Sequence, residues 1–92
     1  MNRSELAAAV AEETGLSLAQ ATTALNASLD AIAKAVASGD IVALTGFGSF
    51  EPRQRAARTG RNPQTGEQLE IAASTAPAFK PATAFKRLVS EA

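Results

Sequence analysis

The sequence contains no cysteine and no histidine. The first absence excludes disulfides and thiolate-bound zinc as sources of stability. The second removes the usual general base and the commonest metal ligand. The nine Asp and Glu residues are scattered along the chain, so there is little from which to build a catalytic centre. No enzyme activity, cofactor, metal or small-molecule substrate is expected. Long apolar runs are missing too: none approaches the ~20 residues of a membrane-spanning helix. Met1 to Ala9 carries Arg3 and Glu5 and has no long apolar core of the kind a signal peptide needs. A soluble, intracellular protein with no membrane contact is expected.

Net charge is absent as well, at a formal value of +0. That balance conceals an asymmetry. Residues 1–46 hold two bases, Arg3 and Lys34, against five acids. Residues 47–92 hold seven bases against four acids. Four arginines and no acid fall between Arg53 and Arg61. A polyanion responds to such a local potential more than to the sum over the chain.

With 92 residues the chain reads as a single domain, 1–92. A domain of that size is only marginally stable alone, which points to dimerisation as a further source of burial. Asn2 with Glu5, and Ser17 with Gln20, are N-terminal helix signatures, the second a full capping-box pattern. Gly15 and Gly39 follow as stop signals. The second helix carries an apolar stripe, Leu18, Ala21, Leu25, Leu29, Ile32 and Val36. Residues 1–40 are therefore expected to form a helical hairpin.

Ile41 to Thr45 then reads as a short strand, and Gly46-Phe47-Gly48 as a tight turn into a second. From Glu51 to Thr75 the large aliphatics shrink to Leu69 and Ile71. Turn residues cluster between Thr59 and Gly66. This predicts a long β-hairpin arm, about residues 52–75, of roughly ten residues a side and ~30 Å reach. An arm that long cannot be held by its own burial. Pro52 in its first strand implies a sheet edge or a bulge. Phe79 is the expected anchor of the returning chain. Pro81 marks a helix start, and Ala82 to Glu91 a short last helix within 77–92. The order α-α-β-β-β-α is an α+β fold with a three-stranded antiparallel sheet.

The tip of the arm, Arg58-Thr59-Gly60-Arg61-Asn62-Pro63, carries the chemistry. Guanidinium groups suit phosphate and a narrow A·T-type groove. Asn62 can meet minor-groove base edges. Pro63, rigid and without an N–H, can act as a wedge between stacked bases, although Asn-Pro pairs also serve simply as turn punctuation.

Gly46-Phe47-Gly48-Ser49-Phe50, followed by Arg55 to Gly66 with its Arg-Asn-Pro-x-Thr-Gly motif, resembles the HU family of bacterial histone-like DNA-binding proteins. Met1 to Leu6 and Pro77-Ala78-Phe79-Lys80 extend the resemblance over essentially the whole chain. It implies an intertwined homodimer in the bacterial cytoplasm and nucleoid that binds double-stranded DNA, preferring bent or distorted sites. Two arms would enter the minor groove, with Pro63 intercalating, so that DNA is bent and compacted. Arg53, Arg55, Arg58, Arg61 and Asn62 would be arm contacts. Arg3, Lys80, Lys86 and Arg87 would be contacts on the body. Phe47, Phe50, Phe79, Leu29, Ile32, Val36 and Leu44 would form the dimer core.

The chain departs from the family pattern in its neutral charge, its acidic return strand Glu67 to Glu70, and Pro52. Two alternatives stay open at this point: a sequence-specific subunit like integration host factor, and an interaction module with weakened DNA binding.

Overall fold

The computed structural model describes every residue from Met1 to Ala92 and divides into two compact units, Met1–Lys34 and Ala35–Ala92.

The first unit contains helix α1 (Arg3–Thr14) and most of α2 (Leu18–Ala37). Both begin at the expected caps. The Asn2 side chain accepts the Glu5 N–H at 2.9 Å. At Ser17 the box is reciprocal: Ser17 Oγ accepts from the Gln20 N–H, and Gln20 Oε1 accepts from the Ser17 N–H, both at 3.1 Å. Each helix ends on a glycine in the left-handed region, Gly15 at φ 76° and Gly39 at φ 96°. At Gly39 the stop is a Schellman motif. The Gly39 N–H donates to the Val36 carbonyl and the Asp40 N–H to that of Ala35.

The second unit holds a three-stranded antiparallel sheet in the order β1 (Val42–Leu44), β2 (Gly48–Arg55), β5 (Ser74–Pro81). A two-stranded ladder, β3 (Arg58–Arg61) with β4 (Gln68–Ile71), lies between β2 and β5 in the chain. Helix α3 (Thr83–Ser90) follows. The expected hairpin thus appears as two ladders where an unbroken pair was expected, because pairing lapses at 56–57 and 72–73. Pro81 closes β5 opposite Gly48, and α3 starts at Thr83 after an Ala82 cap with no side-chain bond.

The prolines explain the register. A hydrogen-bonded antiparallel pair requires each residue to donate to the other. Pro52 lies opposite Pro77, and neither can donate, so that pair must be of the non-hydrogen-bonded kind. Pro81, four residues beyond Pro77, falls in the same phase. Pro52 also lies past the end of β1, whose pairing stops at Val42↔Phe50, so its missing N–H faces an open edge. Pro52 therefore marks an edge, as one of the two expectations held. The other is corrected: β2 and β5 pair one-for-one from Gly48↔Pro81 to Arg55↔Ser74 without a bulge.

Residues opposite one another share a face of the sheet. One face presents Val42, Leu44, Phe50 and Phe79, with Pro52 and Pro77 beside them. Phe47, in the turn, stacks on Phe85 of α3 at 4.9 Å between ring centroids and tilts against Phe79 at 5.4 Å. Phe50 meets Phe79 at 4.8 Å. Contacts of this kind contribute about 0.5–1.5 kcal/mol each beyond their burial. The burial itself is incomplete. Phe47 remains 44% and Phe79 39% exposed, and the buried apolar side chains of the chain are only Ala7 and Ala21. An apolar face left this open marks an interaction surface.

Candidate nucleic-acid interface

The opposite face of the β2·β5 ladder is polar. Ser49, Glu51, Arg53 and Arg55 of β2 alternate onto it, together with Lys80 of β5. Three cations thus share a face with one carboxylate, and Arg53, Arg55 and Lys80 are all exposed. Alternation along a strand produces this arrangement: cations at odd positions of β2 face away from Phe50 and Pro52 at even ones.

Beyond the lapse in pairing, β3 and β4 sort their side chains in the same way. Thr59, Arg61, Gln68 and Glu70 share one face, and Arg58, Gly60, Leu69 and Ile71 the other. Arg58 and Arg61, neighbours in the motif, therefore leave the arm on opposite sides. Glu70 stands opposite Thr59, diagonal to Arg61 on the same face. The acidic return strand accordingly offsets Arg61 more than Arg58.

The tip is closed tightly. The Asn62 N–H donates to the Glu67 carbonyl at 2.8 Å, and the Gly66 N–H to the Asn62 carbonyl at 2.7 Å. Gly66 takes φ 73°, a left-handed value that glycine adopts without strain. The Asn62 side-chain oxygen accepts the Gln64 N–H at 2.9 Å, an Asx turn that fixes the loop. Asn62 therefore has a structural task that the sequence reading did not assign, and its amide nitrogen is what remains to face a ligand. Pro63 follows at the outermost turn and is exposed.

The other candidates are dispersed. Lys86 and Arg87 are exposed on α3. Arg3 belongs to the first unit, where its guanidinium donates to Asn26 Oδ1 at 3.4 Å. Of the expected dimer core, Leu44, Phe50, Phe79 and Phe47 gather on one side of the second unit, while Leu29, Ile32 and Val36 recur at helical spacing along α2. Phe85 completes the aromatic cluster and was absent from that set. Its signal was available, since it is one of only four phenylalanines and shares a helical face with Leu88 and Val89. No helix is long and apolar enough to cross a membrane.

Comparison with known proteins places this geometry. Residues 1–90 match the family model described as bacterial DNA-binding protein. The chain is 58% identical over 89 residues to the DNA-binding protein HU of Geobacillus stearothermophilus, covering 97% of this chain and 99% of that protein. The HU chain of an Anabaena HU–DNA cocrystal structure superposes with a TM-score of 0.91 at 49% identity, over 100% of both chains. HU from Thermotoga maritima, in a variant form, gives a TM-score of 0.72 at 30% identity, over 97% of this chain and 99% of that one.

Proposed function

The chain belongs to the bacterial DNA-binding protein family, with relatives named HU, and from that premise we propose that it is a homodimeric architectural protein binding double-stranded DNA without strong sequence preference. The carrying observation is the row of exposed cations from Lys80, Arg53 and Arg55 on one sheet face to Arg58 and Arg61 on the arm, ending at Pro63. The apolar face around Phe47, Phe50, Phe79 and Phe85 would be covered by the second copy, so that one dimer carries two arms.

In this reading the arms follow the minor groove, and the guanidiniums bind phosphates and groove edges as charged, multidentate donors. The minor groove distinguishes little beyond A·T from G·C, which suits binding with weak sequence preference. Pro63 enters a base step, and the Asx turn at Asn62 holds the loop rigid behind it. Unstacking a step in this way kinks the duplex and lets more protein surface wrap it, the known mode of this family. Arg3, Lys86 and Arg87 add phosphate contacts on the body. The work is architectural, without catalysis, and takes place in the nucleoid of a bacterial cytoplasm.

Salt dependence tests it. With most of the eight arm arginines of a dimer at phosphates, log affinity against log salt should fall with a slope of about −5 to −7. Fluorescence anisotropy of a labelled random-sequence duplex at several salt concentrations measures it. A flat response contradicts the reading.

A further inference from the structure

The outer ladder of the arm is amphipathic. Leu69 and Ile71 stand on one face with Gly60 and Arg58 opposite them, and the other face is wholly polar. The two aliphatics are 45% and 42% exposed. A two-stranded ribbon has no second layer of its own to cover such side chains.

Their relief is narrow. Both come from β4, and Gly60, opposite Leu69, contributes no side chain. Ile71 leans over that gap, with its Cδ1 3.6 Å from where a Gly60 Cβ would stand. The aliphatics thus form a ridge about one strand wide, with Arg58 at its body end. Charge separates the two faces as well. The ridge face carries Arg58 and no carboxylate, whereas on the other face Glu70 offsets Arg61. Within the ladder, only the ridge face is net cationic. Pairing lapses at 56–57 and 72–73, so no cross-strand pair there locks the ladder's faces to those of the body sheet.

We propose that the arm enters the minor groove with the Leu69–Ile71 ridge inward, seated against the deoxyribose walls, and with the Glu70 face outward. This rests on the DNA-binding reading and adds to it the orientation of the arm and a salt-independent part of the binding. The sugars line the groove with apolar C–H faces, and apolar side chains pack where water is displaced from them. The groove is ~6 Å wide in undistorted DNA. A ridge one strand across fits that width better than a full face of two strands ~4.8 Å apart. With Glu70 outward, the acid of the return strand faces solvent, and its repulsion of phosphate is screened by salt.

The test is a matched pair of double variants in full-length protein, Leu69→Thr/Ile71→Thr on the ridge and Gln68→Thr/Glu70→Thr on the opposite face. Threonine keeps strand propensity, and circular dichroism melts verify equal folding. In anisotropy titrations the ridge variant should bind a random-sequence duplex roughly tenfold more weakly at every salt concentration. Its log–log line should run parallel to that of the unmodified protein, because an apolar contact releases no counterion. The opposite-face variant should bind at least as well as the unmodified protein. Undiminished binding by the ridge variant overturns the proposal, as does an equal loss in the opposite-face variant. A ridge loss accompanied by a shallower slope also overturns it, since displaced cations would then be the cause. Sedimentation of the DNA-free protein tests a different occupant: a ridge variant whose dimer dissociates more readily would assign the ridge to the subunit interface and overturn the proposal. Absence of any salt-dependent DNA binding by the unmodified protein would instead defeat the underlying functional reading.

Discussion

Gly48 offers the sharpest test of how the apolar face is built. It is buried at the start of β2, opposite Pro81. A Cβ placed there would lie 2.6 Å from the Lys80 carbonyl oxygen and 2.7 Å from two ring carbons of Phe79. Neither neighbour can yield cheaply. The carbonyl belongs to the β2·β5 ladder, and the ring is packed against Phe47 and Phe50. Overpacking of this kind typically costs about 1–3 kcal/mol. Taking ~2 kcal/mol, Gly48→Ala should lower the thermal midpoint by roughly 8–16 °C for a chain of this size. Because Phe79 lies on the face assigned to the partner subunit, the variant should also dissociate at higher protein concentration. Gly60→Ala is the control. Its added Cβ meets only Ile71 Cδ1, at an ordinary 3.6 Å, and the midpoint should change by less than about 0.5 kcal/mol in stability terms. Melts followed at 222 nm at fixed concentration, with sedimentation for the dimer, decide it. A Gly48→Ala midpoint within 2 °C (roughly 0.5 kcal/mol) of the unmodified protein would refute the packing argument.

Replacing Glu67 and Glu70 by glutamine should raise DNA affinity a few-fold at low salt, with the gain fading as salt rises, since exposed charge pairs contribute about 0.2–1 kcal/mol and are screened. The same anisotropy titration measures this. Ser17→Ala removes half of the reciprocal cap on α2 and should cost about 1 kcal/mol, lowering the melting midpoint by roughly 4–8 °C.

The helices were legible in the sequence because their ends are chemically explicit. Asn2 and Ser17 accept backbone N–H groups, and Gly15 and Gly39 adopt left-handed backbone. The sheet faces were legible through alternation of Phe50 and Pro52 with Arg53 and Arg55. Pro52 was understood only in part. Its consequence depended on which residue lies opposite, and Pro77 twenty-five positions away supplied that. The lapse in the arm had no sequence signal. Alanine neither breaks a strand as proline does nor bends it as glycine does, so Ala56, Ala57, Ala72 and Ala73 read as ordinary strand. Asn62 was assigned to DNA because its amide can read base edges, yet its oxygen is committed to Gln64. A side chain's local hydrogen bond is invisible until the loop conformation is known. The opposed directions of Arg58 and Arg61 follow from register alone and refine a motif that looked like one basic cluster.

The central claim is that an exposed proline at the end of a basic arm bends DNA. Energy transfer between dyes at the two ends of a short duplex, measured at saturating protein, tests it most directly. The unmodified dimer should shorten the end-to-end distance. Pro63→Ala should relax most of that bend while retaining most of the affinity in parallel mobility-shift titrations, because the arginines that hold phosphate are unchanged. An undiminished bend in Pro63→Ala, or a loss of affinity equal to the loss of bending, would contradict the account.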